Sequence, residues 1–357
     1  MIETEKLIKD AIEERIFHGA VIAVSLKGKI ALHKAFGMAD IFAGQRMTTE
    51  TFFDLASLTK PLATAPAIMA LEHARKLELD QPIAELLPAL IGSGKEKITV
   101  RHLLNHTSGL PDWRPWFIEL MKFPGEQRSE KLRELLIAGP LDANPGSQTV
   151  YSDLGFMLLA WLVEELSQQR LDRYVNAEVY DPLNIEDLFY LDRWSVAPPV
   201  ERFAATQLCP WRNRLLKGQV DDDNTWAMGG VGGQAGLFGT AVEVCAMMEA
   251  LLLANGGTDL SGPFTSETIC RYFEREGDGR ALGFDVPFRP GSSSGQYFSD
   301  SSVGHLGFTG TSFWADPERG LVVVLLTNRV HPFRFNEGIR SFRPKLHDTV
   351  VQELGLA

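Results

Sequence analysis

Cysteine is scarce: only Cys209, Cys245 and Cys270 occur, none in C-x-x-C spacing. This excludes a disulfide framework or a zinc ribbon and leaves three buried thiols as the expectation. Of the eight histidines, His102 and His106 stand four apart. No H-E-x-x-H surrounds them and no third ligand is near, so no metal and no cofactor are expected. There is no run of about 18 apolar residues, the length a membrane-spanning helix needs. No block of Lys and Arg occurs, and the net charge is −11. Nucleic acid is therefore not an expected partner, because phosphates require a basic surface. The first residues are charged and amphipathic, without a basic stretch leading into an apolar one, so no secretory signal is read and a cytoplasmic location is expected. Internal repeats and flexible linkers are also absent.

What is present suffices for a large core, in one domain or two lobes: 357 residues, 45% of them hydrophobic. Residues 3–17 carry Leu7, Ile8, Ala11, Ile12 and Ile16 at helical spacing, with Gly19 as the expected end. Residues 20–26 and 30–36 are apolar runs flanking Lys27-Gly28-Lys29, a β-hairpin signal. Pro61 to Arg75 reads as a helix that Pro66 should kink or restart. Thr99 is placed to cap a short helix closed by Ser108-Gly109, and another helix is expected near 128–138. Pro145-Gly146 is a turn that delivers Tyr151 to an apolar helix running to Ser167. Residues 172–185 continue helical, and 200–228 look irregular. Thr240 to Ala254 is helical again. Leu282-Gly283-Phe284 suggests a strand. A long hairpin, 303–314 with 321–327, and a helix over 336–353 follow. Both ends are thus hairpin plus helix. The expected architecture is α/β (α+β): residues 1–61 and 229–357 form a lobe with an antiparallel sheet, residues 62–228 a mainly helical lobe, and a cleft lies between them.

Chemistry concentrates in one stretch, Phe53 to Thr64, which contains the only S-x-x-K, Ser57 to Lys60. At the start of a helix, residues three apart share a face, and the Lys60 ammonium can reach the Ser57 hydroxyl. Serine is a poor nucleophile without such a partner. About one chance match to this pattern is expected in a chain of this length, so the spacing alone does not decide the matter. Six glycines fall within 229–239. They lack the G-K-[ST] or G-x-G-x-x-G setting of a phosphate cradle, and close backbone approach beneath a pocket is the better reading. The run Asp221-Asp222-Asp223 is read as a solvated loop or a helix cap.

Four elements in order then carry a resemblance: SLTK at 57–60, LLNHTSGL at 103–110, YSD at 151–153, and HLG at 305–307 followed by FTGTSFW. Joined by GGVGGQAGLFGTA at 229–241 and LTNRVHP at 326–332, they make the chain similar to the serine beta-lactamase/penicillin-binding superfamily. Within it, the chain resembles the class C beta-lactamase-like branch, with its family VIII-type esterases and DD-peptidase-like proteins. The resemblance implies Ser57 as the acylated nucleophile, Lys60 as the holder of its proton network and Tyr151 as general base. It also implies an oxyanion hole from the backbone N–H groups of Ser57 and Phe308. Tyr174-Val175-Asn176 is the literal Y-x-N, but its place within a helical run favours Tyr151. Substrate binding is implied for Asp153, His305, Leu306 and Gly307. Three of these depart from the family pattern. Asp153 replaces an asparagine that can donate, and His305 and Leu306 replace the Lys and Thr of K-T-G. Those groups hold a substrate carboxylate, so the expected substrate is a small neutral ester or amide, handled by an esterase-like serine hydrolase. A class C-type beta-lactamase or D-alanyl-D-alanine carboxypeptidase is the alternative, and a non-catalytic binding protein on the same fold is a further one. The implied partner is a small acyl compound, with no nucleic acid or membrane. Asn105 and His106 are read as structural, Asp153 as a possible helix cap, and Arg329 and His331 as lining the cleft or tying its edge.

Overall fold

Side-chain alternation builds the central sheet. β1 (Gly19–Leu26) and β2 (Lys29–Asp40) form a hairpin whose two loop residues, Lys27 and Gly28, both have positive φ, the geometry of a tight twisted turn. At the other end of the chain lie β3 (Val303–Leu306), β4 (Ser312–Asp316) and β5 (Leu321–Thr327). The strands are ordered β2-β1-β5-β4-β3, all antiparallel, with Gln45–Arg46 added beyond β2. The computed structural model describes residues 1–192, 197–260, 262–277 and 279–357.

The apolar run of β5 is central because it is buried on both faces. On one face Ala20, Ile22, Val24, Val323 and Leu325 pack with Trp314 against α1 (Ile2–Glu13) and the C-terminal helix Ile339–Glu353. On the other, Val21, Ala23, Val322, Val324 and Phe313 join one large core. That core takes in α2 (Ala65–His73), α3 (Asp153–Ser167) and α4 (Ala241–Asn255). A smaller ribbon pairs Phe53–Asp54 with Leu237–Gly239, and the latter with Leu188–Tyr190. The architecture is mixed α/β, an antiparallel sheet flanked by helices, as the sequence led us to expect. Among the described residues no helix is long and apolar enough to cross a membrane.

Several local expectations are corrected. The first helix ends at Glu13, where Arg15 turns left-handed at φ 59. Gly19 instead opens β1, because a Cβ there would collide with the Met38 carbonyl. The helix capped by Thr99 spans only Val100–Leu104, and His106 breaks it at φ 62, before Ser108-Gly109. Residues 282–284 are a bend, since Gly283 has φ 87 and its N–H donates to Leu104 O. The expected strand over 303–314 is cut in two by a turn in which Gly307 N–H donates to Thr311 O. Cys270 is exposed; the other two cysteines are buried. The helix Ser266–Phe273 was not anticipated.

Candidate active site

The Ser57 turn is held by its neighbours. Ala56 has φ 48, a conformation costly for a residue with a Cβ. Asp54 Oδ1 accepts from Ala56 N at 2.9 Å and Thr59 Oγ1 donates to Ala56 O at 2.6 Å, fixing that peptide on both sides. A single 3₁₀ turn, Ala56–Leu58, leads into a π-helical turn, Lys60–Thr64, and then into α2. Pro66 sits at the head of α2 and has no N–H to offer backwards. The carbonyl of Leu62 that it would have served accepts the Tyr180 hydroxyl at 3.1 Å instead. The helix restarts beside Pro66, at Ala65, as the proline's position suggested.

This winding puts Ser57 and Lys60 on one face. Lys60 is fully buried, and its Nζ donates to Ser57 Oγ at 3.0 Å and to Gln234 O at 3.0 Å. It also pairs with Asp153 Oδ1 at 2.8 Å. The glycine-rich segment supplies the Gln234 carbonyl by close approach, as anticipated. Thr64 Oγ1 donates to Gly233 O at 2.7 Å, and a Cβ on Gly233 would strike the Phe156 carbonyl. Burial pushes the Lys60 ammonium down, but the charges of Asp153 and Tyr151 outweigh it and the net shift is upward.

Tyr151 comes from the start of α3. Ser152 is the cap: its Oγ accepts from Gly155 N at 3.2 Å and donates to Pro111 O at 2.6 Å. Asp153, read as a possible cap, is therefore free to face Lys60. His106 has a larger part than sequence allowed. Its Nδ1 accepts from Ser152 N at 3.0 Å and its ring lies 4.6 Å from the Tyr151 ring, so it sets the tyrosine's orientation. The centre of the Tyr151 ring lies 4.7 Å from Lys60 Nζ, and Tyr151 lines the cleft together with Ser57. Burial raises the Tyr151 pKa, with Lys60 opposing.

The third side is the turn after β3. Thr309 Oγ1 donates to Asp54 O at 2.7 Å and Thr311 Oγ1 to Leu55 O at 3.1 Å, tying this turn to the Ser57 segment. Arg329 donates to Phe308 O at 3.0 and 2.7 Å and to the carbonyls of Arg334 and Asn336, so it ties the cleft edge and fixes the Phe308 peptide. His305 lies beside Tyr151, ring centroids 5.9 Å apart.

Ser57, Tyr151, Asp153, His305, Leu306, Gly307 and Phe308 all line one cleft of about 690 Å³. Tyr174 and His331 do not line it. Tyr174 is buried in the helix Leu171–Val175, and His331 accepts from Ile41 N at 3.1 Å and contacts Thr206 O at 2.9 Å. Asn105 is structural, bonded to Glu276 and Thr107, and His102 completes the capping box with Thr99. The acidic run is not a solvated loop. Asp222 caps the helix Asp223–Ala227, Asp221 is buried, and all three aspartates line the cleft. Sequence reasoning also missed Gln234, Arg280, Arg340 and Arg343. Gln234 lies in the glycine-rich segment and Arg340 and Arg343 on the C-terminal helix, but nothing local marks any of the four side chains as facing the cleft. A second cavity of about 510 Å³ adjoins across Leu306, Arg280 and Arg343.

A buried lysine on a serine hydroxyl, backed by a tyrosine and opening on a cleft, is the arrangement of a serine hydrolase. Residues 4–343 match the Beta-lactamase family, and the chain belongs to it. It is 33% identical over 349 residues to the N-acetylmuramyl-L-alanine amidase of Bacillus subtilis (strain 168), covering 88% of this chain and 78% of that protein. Among solved structures it superposes on EstCE1, a hydrolase with promiscuous acyltransferase activity, with TM-score 0.73 and 23% identity over 96% of this chain and 97% of that one. The class C beta lactamase from Rhodobacter sphaeroides gives TM-score 0.74 and 18% identity, with 98% of this chain and 98% of that one covered. The last two likenesses speak for the fold alone.

Proposed function

We propose that the chain hydrolyses small neutral carboxylic esters through an acyl-enzyme on Ser57. The Ser57 oxygen attacks the ester carbonyl while its proton passes to the coupled Tyr151–Lys60 pair, in the form that has one proton fewer. The oxyanion is received by the backbone N–H groups of Ser57 and Phe308. The tie of the Phe308 carbonyl to Arg329 and of the turn to Asp54 and Leu55 supports this part. Such donors are worth about 3–4 kcal/mol each. Tyr151 hands the proton to the departing alkoxide, and water then releases the acid and restores Ser57. Ester plus water becomes acid plus alcohol.

The observation that carries the choice of substrate is the neutral triplet. Burial pushes His305 down to about 4, so it offers no cation near pH 7, and Leu306 offers no hydroxyl. Asp153, which accepts only, adds to this. A second reading rests on Arg343. This arginine is buried, donates among the described residues only to main-chain oxygens (Thr311 O at 2.7 Å and Gly307 O at 3.4 Å), and lines both the cleft and the adjoining cavity. It favours a substrate with a carboxylate, as in a beta-lactamase or D-alanyl-D-alanine carboxypeptidase.

Parallel assays of p-nitrophenyl acetate and butyrate against a chromogenic cephalosporin, with Ser57→Ala as control, separate the two. Ester turnover that Ser57→Ala abolishes, with little cephalosporin turnover, is the expected result. Dominant cephalosporin turnover would place the arginine reading first.

A further inference from the structure

His305 presents an acceptor at the position where K-T-G presents a cation. Its Nδ1 lies 3.0 Å from Leu306 O. A carbonyl oxygen only accepts, so Nδ1 carries the proton, and in the neutral ring Nε2 is a bare lone pair. Nε2 is buried and has no hydrogen-bond partner among the described residues, while the residue lines the cleft. A buried acceptor without a donor is an unfavourable arrangement, and of the described histidines left so at Nε2 (His33, His305 and His347) it is His305 that lines the cleft.

The surroundings narrow the donor. Asp285 draws positive charge toward the ring while Lys60 and Arg280 oppose it, and these charges are already paired with one another, Arg280 with Asp285 and Lys60 with Asp153. An ammonium group would have to compete for a carboxylate already in use, whereas a neutral hydroxyl needs no counter-charge. Asp153 and Asp222, also on the cleft wall, add further acceptors. The side of the scissile bond follows from Tyr151, the group that protonates the departing oxygen. With the two rings 5.9 Å apart, His305 stands on the alcohol side.

We propose that His305 Nε2 accepts a hydrogen bond from a hydroxyl on the leaving alcohol, so that the substrates are acyl esters of polyhydric, glycerol- or sugar-like alcohols. This rests on the esterase reading above.

The test compares propyl butyrate with 2-hydroxypropyl butyrate, which differ by one hydroxyl, each rate divided by that ester's alkaline hydrolysis rate without enzyme. The native enzyme should prefer the hydroxylated ester by about tenfold or more in kcat/KM, the worth of one buried hydrogen bond. The ratio should collapse toward one in both His305→Phe, which has no acceptor, and His305→Lys, which only donates. A ratio near one in the native enzyme overturns the proposal, and so does a ratio that survives in either variant. p-Nitrophenyl butyrate, which has no second hydroxyl, is run beside them. If it is not turned over, the esterase reading fails; if it is turned over while the paired esters are equal, only the role of His305 fails.

Discussion

Replacing Tyr151 by Phe removes one oxygen and little else. The ring keeps its place against His106, with Lys60 Nζ 4.7 Å from its centre and the Arg280 guanidinium 5.0 Å away. What is lost is the hydroxyl, on which Lys60 and Ser57 act to favour its ionised form. Those interactions contribute roughly 1–3 kcal/mol net, and the phenyl ring no longer bears the cost of desolvating a hydroxyl. The thermal midpoint should therefore fall by no more than about 4 °C in a domain of this size. Catalysis should respond on another scale. A positioned acid/base is worth about 10²–10⁴-fold, or about 3–5 kcal/mol of barrier. Steady-state kinetics on p-nitrophenyl butyrate, beside thermal unfolding, reads both. The native rate should also climb with pH above neutrality, because burial raises the tyrosine and its basic form appears late. The Phe variant should lose that climb. A fall of less than about tenfold in kcat would refute the proton-transfer role. A loss of stability large enough to account for the lost rate would reduce Tyr151 to a packing residue.

Three further outcomes are expected. Asp153→Asn removes the carboxylate 2.8 Å from Lys60 Nζ, so burial is less opposed and the lysine loses its proton more easily. The rising limb of kcat/KM against pH should move to lower pH, and a limb that stays or moves up contradicts the ion pair's role. Asp54, buried beside Asp221, is pushed up to about 7, above the unfolded value of about 4. Its neutral form stabilises the fold below the unfolded value, and that contribution is lost as pH rises through about 7. The stability of the native chain minus that of Asp54→Asn, from urea unfolding, should therefore shrink between about pH 5 and pH 8; a constant difference rejects the assignment. Gly307→Ala would drive a Cβ into Thr311 Oγ1 and to 2.7 Å from Leu55 O. Overpacking of this kind costs about 1–3 kcal/mol. Because Leu55 leads into the Ser57 turn, fluorophosphonate labelling of Ser57 should slow by more than the denaturant midpoint alone explains. Labelling at the native rate would show that the turn absorbs the strain.

Much of this was legible because it is local. The Pro145-Gly146 turn and the apolar run after it placed α3 just after Tyr151 with its end near Ser167, and the apolar runs of β1 and β5 gave the hairpins of the sheet. S-x-x-K is a statement about one helical turn, and the turn is there. The illegible parts depend on contacts distant in sequence. Nothing near Gln234 says that its carbonyl will reach a lysine 174 positions earlier. Nothing in Arg280 or Arg343 marks them as cleft residues, since a charged residue in an irregular segment or on a helix reads as solvated. Of the two readings of 221–223, the helix cap holds at Asp222, but the solvated loop does not: the burial of Asp221 is imposed by the Asp54 segment and Arg212, whose partners no spacing reveals. The break at 307–311 was missed because its cause is the pull of Thr309 and Thr311 toward residues 54 and 55, some 255 positions away.

The pairing of β1 with β5 has a consequence for how the molecule comes into being. Ala20 faces Thr327 in the sheet, and the amides of Glu3 and Thr4 are held by the carboxylate of Glu353. A chain emerging from the ribosome cannot close this sheet until Thr327 has been made. The loop that must close runs from Ala20 to Thr327, which makes the step slow. Ser57 and Lys60 are synthesised early but wait for residues 305–311 before they have a wall to face. The cleft is thus incomplete until its last strands dock, and joining residues 1 and 357 with a short linker while opening a surface loop elsewhere should change the order of assembly and leave the finished cleft intact.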